Sequence, residues 1–134
     1  MDATLIRFDI NNPYTIEYTA ANHTPILIKQ GEMIKCPNDK QPIGADDFSN
    51  TKFSTHQIRM QEGDVLYVFS DGYADQFGGG ERDKKMQRSN FYRILQQYHQ
   101  LSAQEQRELL KKIHLEWRGN KDQTDDIVVA GLFF

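Results

Sequence analysis

The sequence predicts an α+β fold: mostly antiparallel β-sheet layers with two consecutive helices inserted before the last strand. Three observations predict it. Before residue 71, short runs rich in β-branched and aromatic residues alternate with Gly, Pro and Asn punctuation. From Phe91 onward, apolar residues recur at helical spacing. The chain then returns to a β-type run, Ile127 to Phe133.

Taken in order, Thr4 to Ile10 carries Leu5, Ile6, Phe8 and Ile10, and Asn11-Asn12-Pro13 breaks it. Tyr14 to Ala20 alternates more regularly, so the two predict an antiparallel hairpin that begins almost at Met1. A polar connection, Ala20 to Pro25, leads to a short strand, Ile26 to Lys29. Gln30-Gly31 is a tight turn with glycine available for positive φ, and Glu32 to Lys35 returns as the partner. Cys36 to Asp47 reads as a loop, with Pro37, Pro42 and Gly44 as breakers. Phe53 to Met60 is a further strand. Gln61 to Asp64 then turns the chain into Val65 to Ser70, which makes these two strands expected hairpin neighbours.

Ser70-Asp71-Gly72 ends that strand, and Gly78 to Asp83 is flexible by composition. Phe91, Ile94, Leu95 and Tyr98 form one face of the first helix. Ser102 and Glu105 have capping-box spacing for the second. Leu109, Leu110, Ile113 and Trp117 continue its apolar face, and Gly119 suits the position just past its end.

Composition narrows the function. The 134 residues predict a single domain, 1–134, able to bury a core without a disulfide. Cys36 is the only cysteine, which excludes an internal disulfide and suits a reducing compartment. The net charge is −3 with acids and bases intermixed, so a nucleic-acid partner is not expected. Mean hydropathy is −0.70, and no apolar run is long enough to span a membrane. The expected location is cytoplasmic, with any membrane anchor supplied by other domains of a longer parent.

Acids flank the two strongest strands: Asp71 after one, Asp125 and Asp126 before the other. If those strands lie side by side and antiparallel, Asp71 and Asp125 converge. Two carboxylates suit a hard cation such as Mn²⁺ or Mg²⁺. The same residues also read as an ordinary turn acid and a solvated pair. His23 reads as a general acid or as a hydrogen-bonded loop residue. His56, His99 and His114 lack metal-like spacing and are expected at the surface. Gly78-Gly79-Gly80 reads as a phosphate cradle or as a flexible flap, and it lacks the lysine and serine of a nucleotide loop. Lys84, Lys85 and Arg88 read as a solvated helix start or as contacts to an acidic or phosphorylated partner. Asp75 has no chemical role that the sequence assigns.

Phe69-Ser70-Asp71-Gly72-Tyr73-Ala74-Asp75-Gln76-Phe77-Gly78-Gly79 resembles the central motif of bacterial PPM-type serine phosphatases, the stage II sporulation protein E-like family, in its sensor-output branch. Gln123-Thr124-Asp125-Asp126-Ile127-Val128-Val129 resembles the closing motif. Ala21-Asn22-His23-Thr24-Pro25 and Gln41-Pro42-Ile43-Gly44 resemble two intervening loops, and Lys84-Lys85-Met86, Phe91 and Trp117-Arg118-Gly119 fit the same pattern. The resemblance implies part of a PPM-type α/β/β/α sandwich. It implies hydrolysis of phosphoserine or phosphothreonine in a protein by two Mn²⁺ or Mg²⁺ ions that hold and acidify a water. Asp71 and Asp125 match ligands of one ion. Gly72 matches a position of close backbone approach, and Asp126 matches a variable Asp/Asn position beside the site. No catalytic or substrate-binding residue is assigned beyond these, and Cys36 is not a nucleophile.

The family pattern also has an earlier half, with an Asp-Gly motif supplying a metal-bridging carboxylate. Here Asp2, Asp9 and Glu17 are the early acids, and none precedes glycine. The chain therefore resembles the C-terminal half of the domain, weakly active or inactive alone. The implied partners are a phosphorylated protein of the anti-sigma-factor-antagonist kind, upstream sensor domains, and a second copy of the chain. The alternative reading is a non-catalytic partner-binding signalling module of the same fold.

Overall fold

A computed structural model describes residues 1–44 and 52–134. β1 (Ala3–Asp9) and β2 (Asn12–Ala21) form the expected antiparallel hairpin, with Ala3 opposite Ala21 and Phe8 opposite Ile16. The Asp9 carboxylate closes its turn by accepting the Asn11 amide at 2.9 Å. Asn12 and Pro13 begin β2 instead of ending a run. Pro13 falls where the β1–β2 register is interrupted and before the β2–β5 ladder starts, so its missing N–H costs no ladder bond. Ile16, Tyr18 and Ala20 alternate inward and are buried. With Leu27, Cys36, Met60 and Leu66 they form a core against which Ile6, Ile58, Leu132 and Phe134 pack.

β3 (Ile26–Lys29) and β4 (Glu32–Lys35) form the second expected hairpin. Gln30 has φ 51° and Gly31 has φ 81°, the double positive-φ turn that matches strand twist. The loop that follows is described as far as Gly44; its Ala45–Asp47 end lies outside the described residues.

β5 (His56–Arg59) and β6 (Val65–Phe69) correct the sequence reading, because they are not hairpin neighbours. β5 pairs with β2, in the order β1-β2-β5. β6 pairs with β3, in the order β4-β3-β6-β9, where β9 is Val129–Phe133. Asp64 explains the switch. Its buried carboxylate accepts the Gln61 amide at 2.8 Å and the Gln30 amide at 3.1 Å. The turn before β6 is thereby fastened to the β3–β4 turn by charge-assisted bonds.

Two compact units divide the chain: Met1–Val68 with Leu132–Phe134, and Phe69–Gly131. The second opens with α1 (Gly72–Asp75), a single helical turn where the sequence suggested only a bend. Its interior is aromatic. Tyr73 stacks on Phe91 with ring centres 4.6 Å apart, Phe69 meets Phe91 edge-on at 5.1 Å, and the Tyr73 hydroxyl donates to the Leu110 carbonyl at 2.8 Å.

β7 (Phe77–Gly78) and β8 (Lys84–Lys85) pair as a small ribbon around a 3-10 turn, Gly80–Arg82. The stretch expected to be a flexible flap is thus held at its start. Gly78 is buried, and a Cβ there would lie 1.9 Å from the Trp117 carbonyl oxygen. α2 (Arg88–Tyr98) buries Phe91, Tyr92 and Leu95. α3 (Ala103–Arg118) begins with the expected capping box. The Ser102 hydroxyl accepts the Glu105 amide at 3.3 Å, and the Glu105 carboxylate accepts the Ser102 amide at 2.9 Å. Gly119, at φ 56°, ends α3 by donating to the Leu115 carbonyl. Leu109, Leu110, Ile113 and Trp117 are half-buried, while the buried residues of α3 are Gln106 and His114.

Candidate metal centre

β9 runs beside β6, and three hydrogen bonds hold the end of β6 against the approach to β9. The Ser70 amide donates to the Val128 carbonyl at 2.9 Å. The Val128 amide donates to the Ser70 hydroxyl at 2.9 Å, and that hydroxyl donates to the Asp126 carbonyl at 2.8 Å. Gly72 completes the junction. A Cβ at this position would lie 2.4 Å from the Asp126 carbonyl oxygen and 3.2 Å from that of Asp125. Only a residue without a side chain lets the two backbones pass this closely. The Asp71-Gly72 and Asp125-Asp126 segments are thereby brought together, as the sequence reading required.

Asp71 and Asp125 are both exposed. Asp71 precedes α1 with φ −76° and ψ −15°, and its carboxylate makes no capping hydrogen bond. Its backbone carbonyl accepts the Asp75 amide at 2.9 Å, so Asp71 also stands at an ordinary helical turn. Asp125 engages one carboxylate oxygen with the Asp126 amide at 2.7 Å, and its carbonyl accepts the Gln123 side chain at 2.9 Å. Carboxylate oxygens are the donor type that Mn²⁺ and Mg²⁺ favour. Among the described residues, no group of three or more His, Cys, Asp or Glu side chains is gathered to hold a metal. Asp71 and Asp125 would therefore supply at most part of a coordination shell.

The other singled-out residues have structural roles. His23 Nδ1 lies 2.7 Å from the Thr4 hydroxyl, a hydrogen-bonded loop histidine. The three histidines expected at the surface are not exposed. His56 is half-buried on the Tyr18 ring at 5.2 Å, His99 is half-buried, and His114 is buried against Tyr73 and Gln76. Asp75 pairs with Lys85 at 3.3 Å, and Lys85 also lies over the Phe77 ring. Trp117 packs on the ribbon and donates its indole N–H to the Gln76 carbonyl at 3.0 Å. Burial pushes the Cys36 thiol up to about 11, which keeps it protonated and unreactive at neutral pH. Sequence reasoning missed Gln76, which is fully buried and fully hydrogen-bonded. Its place inside the Asp71–Gly79 motif was the only available signal.

These sheets and helices have the PP2C-type phosphatase fold. The SiaA-PP2C domain of Pseudomonas aeruginosa superposes with a TM-score of 0.86 at 22% identity, covering 99% of this chain and 51% of that one. The phosphatase domain of the cell fate determinant SpoIIE from Bacillus subtilis, presoaked with Mn, gives 0.64 at 16% identity, covering 99% and 56%. RsbX in complex with magnesium gives 0.60 at 16% identity, again covering 99% and 56%. The chain thus spans about half the length of these solved structures. A search of curated proteins gives no match. Residues 1–132 match the family described as Stage II sporulation protein E (SpoIIE), and the chain belongs to that family. Among the described residues, no helix is long and apolar enough to cross a membrane.

Proposed function

We propose that this chain is the C-terminal half of a PPM-type serine/threonine phosphatase domain, which removes phosphate from phosphoserine or phosphothreonine in a signalling protein. The close passage of Gly72 against the Asp125 and Asp126 backbone supports this reading, because it brings the segments that carry Asp71 and Asp125 together. Asp71 and Asp125 would hold one Mn²⁺ or Mg²⁺ ion. Such an ion offsets negative charge on a phosphoryl group during in-line attack. Ser70 fixes the spacing of the two strand ends, Gly72 admits the close approach, and Asp126 orients Asp125 through its amide. The substrate is a phosphorylated protein of the anti-sigma-factor-antagonist kind, and sensor domains of a longer parent supply the signal.

The missing third ligand among the described residues favours a second reading for the chain alone, a partner-binding module of the same fold. Titration with Mn²⁺, followed by the resonance of the free ion, separates the two. Weak binding is expected in the unaltered chain and its loss in Asp71→Asn and Asp125→Asn, with Glu62→Gln, an exposed acid outside the site, unaffected. Equal binding by all four proteins overturns the metal reading and leaves the module. Hydrolysis of an aryl phosphate by this chain with Mn²⁺ is expected at the buffer rate. A robust rate abolished by Asp71→Ala would overturn the half-site assignment.

A further inference from the structure

Gln76 sits between α1 and β7, and its side chain is completely buried. Its amide has four hydrogen-bonding positions and uses all of them. Nε2 donates to the Asp122 carbonyl at 2.9 Å and to the Phe77 carbonyl at 3.0 Å. Oε1 accepts the Thr124 amide at 3.2 Å and lies 3.2 Å from His114 Nε2. Two of these partners are obligate acceptors and one is an obligate donor, so together they determine which way the amide points. They also determine the His114 tautomer: its proton is on Nε2 and is donated to Gln76. The Gln76 backbone carbonyl accepts two further bonds, from the Trp117 indole at 3.0 Å and the Met86 amide at 3.0 Å.

One residue thereby ties the segment immediately ahead of Asp125 to α3 and to the ribbon. Residues Asp122–Thr124 are exposed and belong to no helix or strand, and besides these bonds the Thr124 hydroxyl accepts the Phe77 amide at 3.4 Å. Asp125 is the next residue, and its presentation beside Asp71 depends on where Thr124 is held.

We propose that Gln76 is a positioning residue for the metal centre: it clamps Asp122 and Thr124 so that Asp125 is held beside Asp71, with α3 as the anchor through His114 and Trp117. The proposal rests on the metal-binding reading of Asp71 and Asp125. Supporting groups of this kind hold ligand geometry, and their loss weakens metal binding by roughly 10- to 100-fold.

The test compares Mn²⁺ binding by the full chain and by Gln76→Leu, Gln76→Glu and Asp125→Asn, with amide hydrogen exchange read at Thr124 and Asp126. Gln76→Leu removes all four side-chain bonds and is expected to weaken Mn²⁺ binding about tenfold or more, with faster exchange at those two amides and unchanged protection in β1 and β2. Gln76→Glu keeps the size and both accepting contacts but loses both donating ones. It is expected to show a smaller loss in the same direction, and it decides the matter if the leucine variant does not fold. Binding lost in Asp125→Asn but unchanged in both Gln76 variants, with unchanged exchange at Thr124, overturns the positioning role and leaves the metal reading standing. Binding unchanged in Asp125→Asn overturns the metal reading, and this proposal with it.

Discussion

Gly72 and Gly78 show how single absent side chains set this structure. Each admits a backbone carbonyl, from Asp126 and Trp117 respectively, where a Cβ would stand at 2.4 and 1.9 Å. A backbone atom cannot swing aside as a flexible side chain can, so added methyls must displace whole segments. Gly72→Ala and Gly78→Ala are each expected to destabilise the fold by about 1–3 kcal/mol in urea titrations, Gly78→Ala by more. His114 supplies a pH dependence. Burial, and then the Arg118 guanidinium, push its pKa below the ordinary 6.5. The unfolded chain therefore takes up the proton first as pH falls. The stabilisation is complete above about pH 6.5 and is lost as pH drops toward the lower folded value. Urea midpoints measured across that window should fall with pH, and His114→Gln should flatten the decline. The meeting of the Asp71-Gly72 and Asp125-Asp126 segments was legible because acids at strand ends leave a local trace. Gln76 was not, because its partners His114, Asp122 and Thr124 lie 38 to 48 residues away.

At the scale of elements, legibility followed locality. α2 and α3 were readable because their periodicity and the Ser102–Glu105 box are written within a few residues. Ser102→Ala should lower stability by about 1 kcal/mol, measurable as a shift in the urea midpoint. The β1–β2 and β3–β4 hairpins were readable for the same reason, since their turns carry the signal. The partners of β5 and β6 were not. A short loop between two strands argues for a hairpin, but the Asp64 carboxylate reaches back to Gln30 and sends β6 into another sheet. The same limit applies to the glycine-rich ribbon, whose order comes from Trp117, far along the chain.

For the molecule as a whole, the chain covers about half of its structural relatives, and β1 ends its sheet among the described residues. Leu5 of β1 is 74% exposed, and Phe8 is exposed as well. An edge strand with this apolar content invites pairing with another chain. Sedimentation is expected to show association rising with concentration and diminished in Leu5→Lys. A compact monomer at high concentration would count against the half-domain reading. The chain also has a single tryptophan, and it stands against Gly79 with its indole bound to the Gln76 carbonyl. All indole emission from this protein therefore originates at the joint between α3 and the ribbon. Loosening of that joint would shift the spectrum to the red while helix content stays constant, so the fold carries an intrinsic optical gauge of the strut behind Asp125.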